Sequence, residues 1–393
     1  MRFLGFRHKI SEIIVSKLGC FFLKNPGVKF MAEKTKKKIK IPIAELKQIK
    51  LCPFCKGTDF KKFGFREKKH EKVQVFYCNH CEKKFTPLVT SGKTYPVYII
   101  LQSLIWSNRF LKSQEITEKI KRDYGLSVTA NTIDNWVKEY RRFTPFARMK
   151  DFLVGKVEKG EIDLREMIAE NKLFHQQIYN FGYHRWKTDA ILNEQFKNFK
   201  LKAIKEFLEL IIAECPHKIF VESKLRASDG KGKFNLDEVR ITRKENLACE
   251  MAKFVMQAVA NNKRRHEELQ NFMLSCDSTT LAVEVPVLLG KEDVDHYREM
   301  LNFDVPLELK GEEDAITGHI DIIQLRNGMI HIMDFKPSAK KYKPIEQLTV
   351  YALALARLTG LRLYNFKCAW FDEDDYYEFY PLHVVYKKCK KKK

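Results

Sequence analysis

The stretch from Ile316 to Leu355 is the strongest constraint on what this chain can fold into, because it fixes two carboxylates at defined points of a hairpin. Ile316 to Leu325 and Met329 to Phe335 read as adjacent strands joined at Arg326-Asn327-Gly328, and Asn-Gly is a strong hairpin signal. Each strand carries one acid in an apolar run: Asp321 interrupts Ile320, Ile322 and Ile323, and Asp334 follows Ile330, Ile332 and Met333. Acids set against a core are costly unless a cation is present. Lys336 lies two residues after Asp334, and the period-two repeat of a strand turns both to the same side. Two carboxylates and a lysine thus converge. Hard oxygen ligands suit Mg²⁺ or Mn²⁺, and a lysine beside such a metal can orient water or neutralise charge on a phosphate. The alternative is a pair of structural acids neutralised by Lys336. Pro344 then opens a helix in which Gln347 and Tyr351 share a face that could reach the same point, although Leu348 and Leu355 make much of this helix core.

These residues resemble the PD-(D/E)xK nuclease superfamily, and more closely its RecB-like branch. The hydrophobic-Gly-x-hydrophobic-Asp motif is matched by Ile316-Thr317-Gly318-His319-Ile320-Asp321, the (D/E)-x-K by Asp334-Phe335-Lys336, and the Gln-x-x-x-Tyr helix by Gln347 and Tyr351. Val283-Glu284-Val285-Pro286-Val287 matches an upstream Glu-x-Pro strand, with Glu284 in a supporting or structural role rather than as a ligand. His266-Glu267 is the best match to the branch's metal-binding histidine. The resemblance spans about residues 246 to 385 and rests on motif order, since a lone D-x-K carries little information. It implies that Asp321, Asp334 and His266 hold Mg²⁺ or Mn²⁺, and that Lys336, Gln347 and Tyr351 serve catalysis of phosphodiester hydrolysis. On a helix from about Asn246 to Ser275, His266 shares a face with Met251, Val255, Val259, Leu269 and Met273, so a core histidine is the competing reading.

The front of the chain carries a second pattern. Cys52-Pro53-Phe54-Cys55 and Cys78-Asn79-His80-Cys81 are two CxxC knuckles with 22 residues between them, the ligand set of a closed tetrahedral Zn²⁺ site. Phe60 to Phe65 and Val73 to Tyr77 read as strands between the knuckles, giving a zinc ribbon too small for a core of its own, whose folding the metal would drive. Tyr95 to Leu111 is an apolar-periodic helix, Ser113 caps Gln114 to Tyr124, Gly125 ends that helix, and Thr129 or Asn131 caps a third carrying Ile133, Trp136, Val137 and Tyr140. This is a helix-turn-helix pattern in which Thr132, Asn135, Lys138, Arg141 and Arg142 are candidate DNA contacts; a plain three-helix packing module is the alternative. Ribbon and helices together resemble the N-terminal part of certain insertion-sequence transposases, but no acidic triad of that family follows.

An excess of 72 Lys+Arg over 50 Asp+Glu, a formal charge of +22, favours a polyanionic partner such as DNA, with solubility or heat resistance as the bland alternative. Four of the ten cysteines fall in the CxxC pairs, which fits a reducing, cytoplasmic setting better than a disulfide framework. No run of eighteen apolar residues suggests a membrane span. The expected organisation is multidomain. A basic arm or over-long gene model covers 1–50, a zinc ribbon 51–90, an all-α helix-turn-helix 94–143 and a connecting segment 144–245. An α/β restriction-endonuclease-like domain with a central mixed sheet flanked by helices covers 246–386, and a basic tail 387–393. The expected activity is that of a DNA-targeted, metal-dependent nuclease. The rivals are a DNA-binding regulator on an inactive nuclease scaffold and a transposase-related recombination protein.

Overall fold

A computed structural model describes residues 49, 51–86, 92–160, 163–194, 200–229, 233–259, 262–311 and 314–386. The basic arm, apart from Ile49, and the basic tail lie outside the described residues. Near the front, β1 (Phe60–Glu67), β2 (Lys72–Cys78) and β3 (Lys84–Phe85) pair antiparallel in a small sheet. Its apolar content is one aromatic trio, with Phe60, Phe76 and Phe85 at centroid separations of 5.6 to 5.8 Å, packed beside Cys52 and Cys78. So small a cluster leaves most of the folding free energy of this part to be supplied by cross-links.

The main sheet contains β4 (Ile168–Phe174), β5 (Ile178–His184), β6 (Leu225–Arg226), β7 (Thr242–Lys244), β8 (Thr280–Gly290), β9 (Ala315–Arg326), β10 (Met329–Phe335), β11 (Phe366–Phe371) and β12 (Tyr376–Phe379). Strand order is β4-β5-β8-β9-β10-β11-β12-β7, with β6 added to β9. The sheet is mixed: β10–β11 and β6–β9 are parallel and the other pairings antiparallel. Helices cover both faces. Leu348, Ala352 and Leu355 of the Ile345–Thr359 helix pack with Ile204, Leu208 and Ile211 of the Lys202–Glu214 helix on one side. The Leu247–Ala258, Asn262–Cys276 and Val97–Asn108 helices share the cluster on the other. Among the described residues, no helix is long and apolar enough to cross a membrane.

Several expectations shift. The segment 144–245, read as a connector, supplies four strands of the main sheet, and its long aromatic-rich stretches hide short strands whose partners are remote in sequence. The single helix expected from Asn246 to Ser275 is two helices, the first ending as Val259 becomes extended. Leu363–Asn365 is a 3₁₀ turn before β11, and β12 ends at Phe379, after which Pro381 leads into the Leu382–Val385 helix. The three front helices are present as Val97–Asn108, Ser113–Tyr124 and Ala130–Glu139. The second is capped at Lys112, whose N–H donates to Glu115, and not at Ser113, whose hydroxyl donates to Asp134. Thr129 caps the third through the Thr132 N–H, and Gly125 ends the second at φ 70°.

Candidate functional site

The hairpin turns where expected, with Asn327 at φ 53° and Gly328 at φ 68°, the positive pair that a tight right-twisted hairpin requires. From there β9 and β10 stay paired only as far as Ile322 and Met333. Beyond that point the strands part, and β6 takes up the free edge of β9 at Ile316 and Thr317. Asp321 and Asp334 are the first residues past the split. With no ladder partner there, the Phe335 N–H donates to Asp321 Oδ2 at 3.1 Å, so a side chain replaces a strand-to-strand bond.

Opposite Asp321, on β8, Glu284 has φ 51° in the middle of a strand. Left-handed backbone at a non-glycine residue costs about 1–3 kcal/mol and is found where the surroundings enforce it. Its effect is to reset the alternation. Val283 packs into the cluster on one face and Val285, Val287 and Leu289 into the cluster on the other, whereas strict period two would set all four together. On β9, Ile316 and Ile320 likewise share that cluster with Ile323 and Leu325. The pleat is therefore interrupted at the Glu284–Asp321 position in both strands. On the β5 side Pro286 meets no ladder, because β5 pairs with β8 only at Ala282 and Val283.

The side chains around the split form one set. His266, on the Asn262–Cys276 helix, places Nδ1 3.8 Å from Asp321 Oδ2 and sets its ring edge-on to Phe335 at 5.0 Å. Gln270, one turn on, donates to Glu284 Oε1 at 2.7 Å. Because the helix breaks before Asn262, His266 is not in line with Met251 or Val255, and it lies at the site, half-exposed, rather than in the core. Lys336 Nζ is 3.0 Å from Asp334 Oδ2, yet that buried oxygen accepts no hydrogen bond of acceptable angle. On the other side the Tyr351 ring lies against Gly318, where an added Cβ would come 2.3 Å from Cε1, and the Tyr351 hydroxyl accepts from Gln347 Nε2 at 2.9 Å. This approach ties the Gly-x-x-Asp strand to the Gln-x-x-x-Tyr helix.

Electrostatics follow from the crowding. Burial and then the Asp321 charge push Asp334 well above the usual carboxylate range, with Lys336 opposing. Burial acts the same way on Asp321 but is outweighed by its neighbours His266, Asp334 and Lys336, which hold it low. Glu284 is pushed up to about 8, by burial first and the Asp321 charge second. Burial acts to lower Lys336, but Asp334 and Asp321 outweigh it and keep the ammonium protonated. Three acids around one lysine cannot all ionise without uncompensated charge, the setting that a divalent cation relieves. The ligand atoms of His266, Asp321 and Asp334 are not all within 4.8 Å of one another, in contrast to the four cysteines.

Those cysteines form the second site. Cys52 and Cys81 Sγ are 3.6 Å apart and Cys55 and Cys78 Sγ 3.5 Å, close to the about 3.8 Å edge of a tetrahedron with Zn–S bonds of about 2.3 Å. Lys56 and Glu82, the residues after each knuckle, are left-handed at φ 62° and 56°, which curls each CxxC so that its thiols face inward. The four thiols could hold a structural zinc ion.

Of the candidate DNA contacts, Asn135 and Lys138 are exposed on the Ala130–Glu139 helix. Arg141 and Arg142 are exposed too, but on the 3₁₀ turn after it, and Arg142 is paired with Glu250 at 2.5 Å. Thr132 spends its hydroxyl on the cap, 2.8 Å from that of Thr129. The backbone switch at Glu284 and its bond to Gln270 escape a reading of spacing alone, because an isolated glutamate between valines signals nothing about φ. Comparison with protein-family models, with curated proteins and with solved structures finds no match.

Proposed function

We propose that this chain is a metal-dependent DNA nuclease that hydrolyses phosphodiester bonds and is directed to DNA by its zinc ribbon and front helices. The observation that carries the reading is the gap between β9 and β10. It gathers Asp321, Asp334, Lys336 and His266 beside Glu284, with one buried Asp334 oxygen short of a hydrogen bond. Asp321 and Asp334 would hold Mg²⁺ or Mn²⁺, with His266 completing the set. When bound, the cation would offset charge on the phosphate and lower the pKa of an attacking water. Lys336 keeps a positive donor beside Asp334, where it can orient that water and stabilise developing charge. Gln347 and Tyr351 brace Gly318, three residues before Asp321, and so fix the strand that carries the acid. The +22 charge and the exposed Asn135, Lys138 and Arg141 support a polyanionic substrate.

Calorimetric titration of Mn²⁺ into zinc-loaded protein tests the site directly. Wild type should bind one equivalent that Asp334→Asn loses. Absence of binding by wild type would favour the regulator on an inactive scaffold. Strand-transfer products from a transposon-end substrate would favour recombination instead.

A further inference from the structure

A third group of potential ligands lies beside His319 of β9, independent of the nuclease reading. His175 sits in the turn of the β4–β5 hairpin, and Cys215 and His217 flank Pro216 between the Lys202–Glu214 and His217–Glu222 helices. Pro216, at φ −78° and ψ 64°, is the centre of an inverse γ-turn, with the His217 N–H donating to the Cys215 carbonyl at 2.8 Å. That turn folds the thiol and the imidazole back toward one point. His175 Nε2 lies 3.1 Å from His217 Nδ1 and 3.8 Å from Cys215 Sγ.

We propose that His175, Cys215 and His217 form a second soft-metal site that binds Zn²⁺. Zn–N bonds of about 2.0–2.1 Å and a Zn–S bond of about 2.3 Å set tetrahedral edges of about 3.3 Å between nitrogens and about 3.6 Å between nitrogen and sulfur. Both separations are within about 0.3 Å of those edges before any ion is placed. Two hydrogen-bonded histidines would explain the nitrogen pair but give no reason for a thiol aimed at the same nitrogen.

The surroundings hold the ring in place. His175 Nδ1 is 2.8 Å from His319 Nε2, which occupies the far nitrogen and leaves Nε2 for a metal, the usual arrangement of a ligating histidine. The His175 ring stacks on Phe220 at 4.4 Å with 10° between planes, and His319 stacks on Tyr179 at 3.5 Å with 8°. One thiolate with two imidazoles selects Zn²⁺ over Mg²⁺ or Ca²⁺. Among the described residues, no further histidine, cysteine or acid joins the group within 4.8 Å, so water takes the fourth position. The ion would tie the hairpin turn to the helix pair and, through His319, to β9 two residues from Asp321.

Metal analysis of the full chain, expressed with zinc and desalted, separates this site from the four cysteines. Wild type should carry two equivalents. Cys215→Ser and, on the exposed edge, His217→Gln should each carry one while keeping the wild-type circular dichroism spectrum. Cys52→Ser should also lose one equivalent, and combined with Cys215→Ser it should leave none. Cobalt loading adds an independent readout, since the wild-type minus Cys215→Ser spectrum should show single-thiolate charge transfer, far weaker than that of four thiolates. A single equivalent in wild type, lost with Cys52→Ser, would overturn the proposal. So would two equivalents retained in both Cys215→Ser and His217→Gln.

Discussion

Replacing Gly318 by alanine should destabilise the protein by about 2–4 kcal/mol, and the cost should depend on Tyr351. The added Cβ would lie 2.3 Å from Tyr351 Cε1 and 3.0 Å from both Cζ and the hydroxyl oxygen, against about 3.5–4.0 Å for an unstrained contact. The ring is 5% exposed and has no open side to move into. Overpacking of this kind costs about 1–3 kcal/mol, and displacing the hydroxyl from Gln347 Nε2 removes a buried hydrogen bond for about another 1 kcal/mol. Equilibrium urea denaturation of wild type, Gly318→Ala, Tyr351→Ala and the double variant measures the coupling. Tyr351→Ala is itself costly, yet in that background Gly318→Ala should cost no more than a few tenths of a kcal/mol. An unchanged stability in Gly318→Ala, or a cost that persists without the Tyr351 ring, would refute the argument that glycine is required here by the approach of the helix.

Three further outcomes are expected. In the metal-free protein, Glu284 is pushed up to about 8, so its protonated form contributes stability that is complete below the unfolded value of 4.5 and is lost as pH rises through about 8. Glu284→Gln should therefore gain stability relative to wild type between pH 5 and 9, read from denaturation midpoints in metal-depleted buffer, and a flat difference would count against the buried charge. Chelation of zinc, or Cys52→Ser, should open residues 51–86 to limited proteolysis while leaving the main sheet resistant, because the aromatic trio there cannot hold the fold without its cross-link. Arg142→Ala, which breaks an exposed pair with Glu250, should change stability by less than about 1 kcal/mol in denaturation but should weaken DNA binding in a salt-dependent titration.

Local chemistry was legible wherever a short pattern has one geometric solution. Asn327-Gly328 predicts its hairpin, the CxxC pairs predict a four-thiol cluster, and alternation around Asp321 and Asp334 predicts two acids at one place. What spacing could not reveal depends on distant partners. β4 and β5 pair next to β8 about a hundred residues later, so the segment that contains them carries no local sign of belonging to the sheet. The switch at Glu284 rests on backbone strain that the packing of both faces enforces. His175 and the Cys215–His217 turn lie 40 residues apart, and only the fold brings their ligand atoms together.

Cleavage of labelled linear, circular, single-stranded and double-stranded DNA in Mn²⁺, compared between wild type and Lys336→Ala, tests the central claim most directly. Lys336 is a third exposed at the rim of the gap, so its truncation should leave the circular dichroism spectrum and denaturation midpoint close to wild type. Wild type should cleave at least one of these substrates, with cleavage lost on chelation of Mn²⁺ and reduced at least a hundredfold in Lys336→Ala. Equal cleavage by the two proteins, or none by a wild type that binds Mn²⁺ and DNA, would contradict that claim.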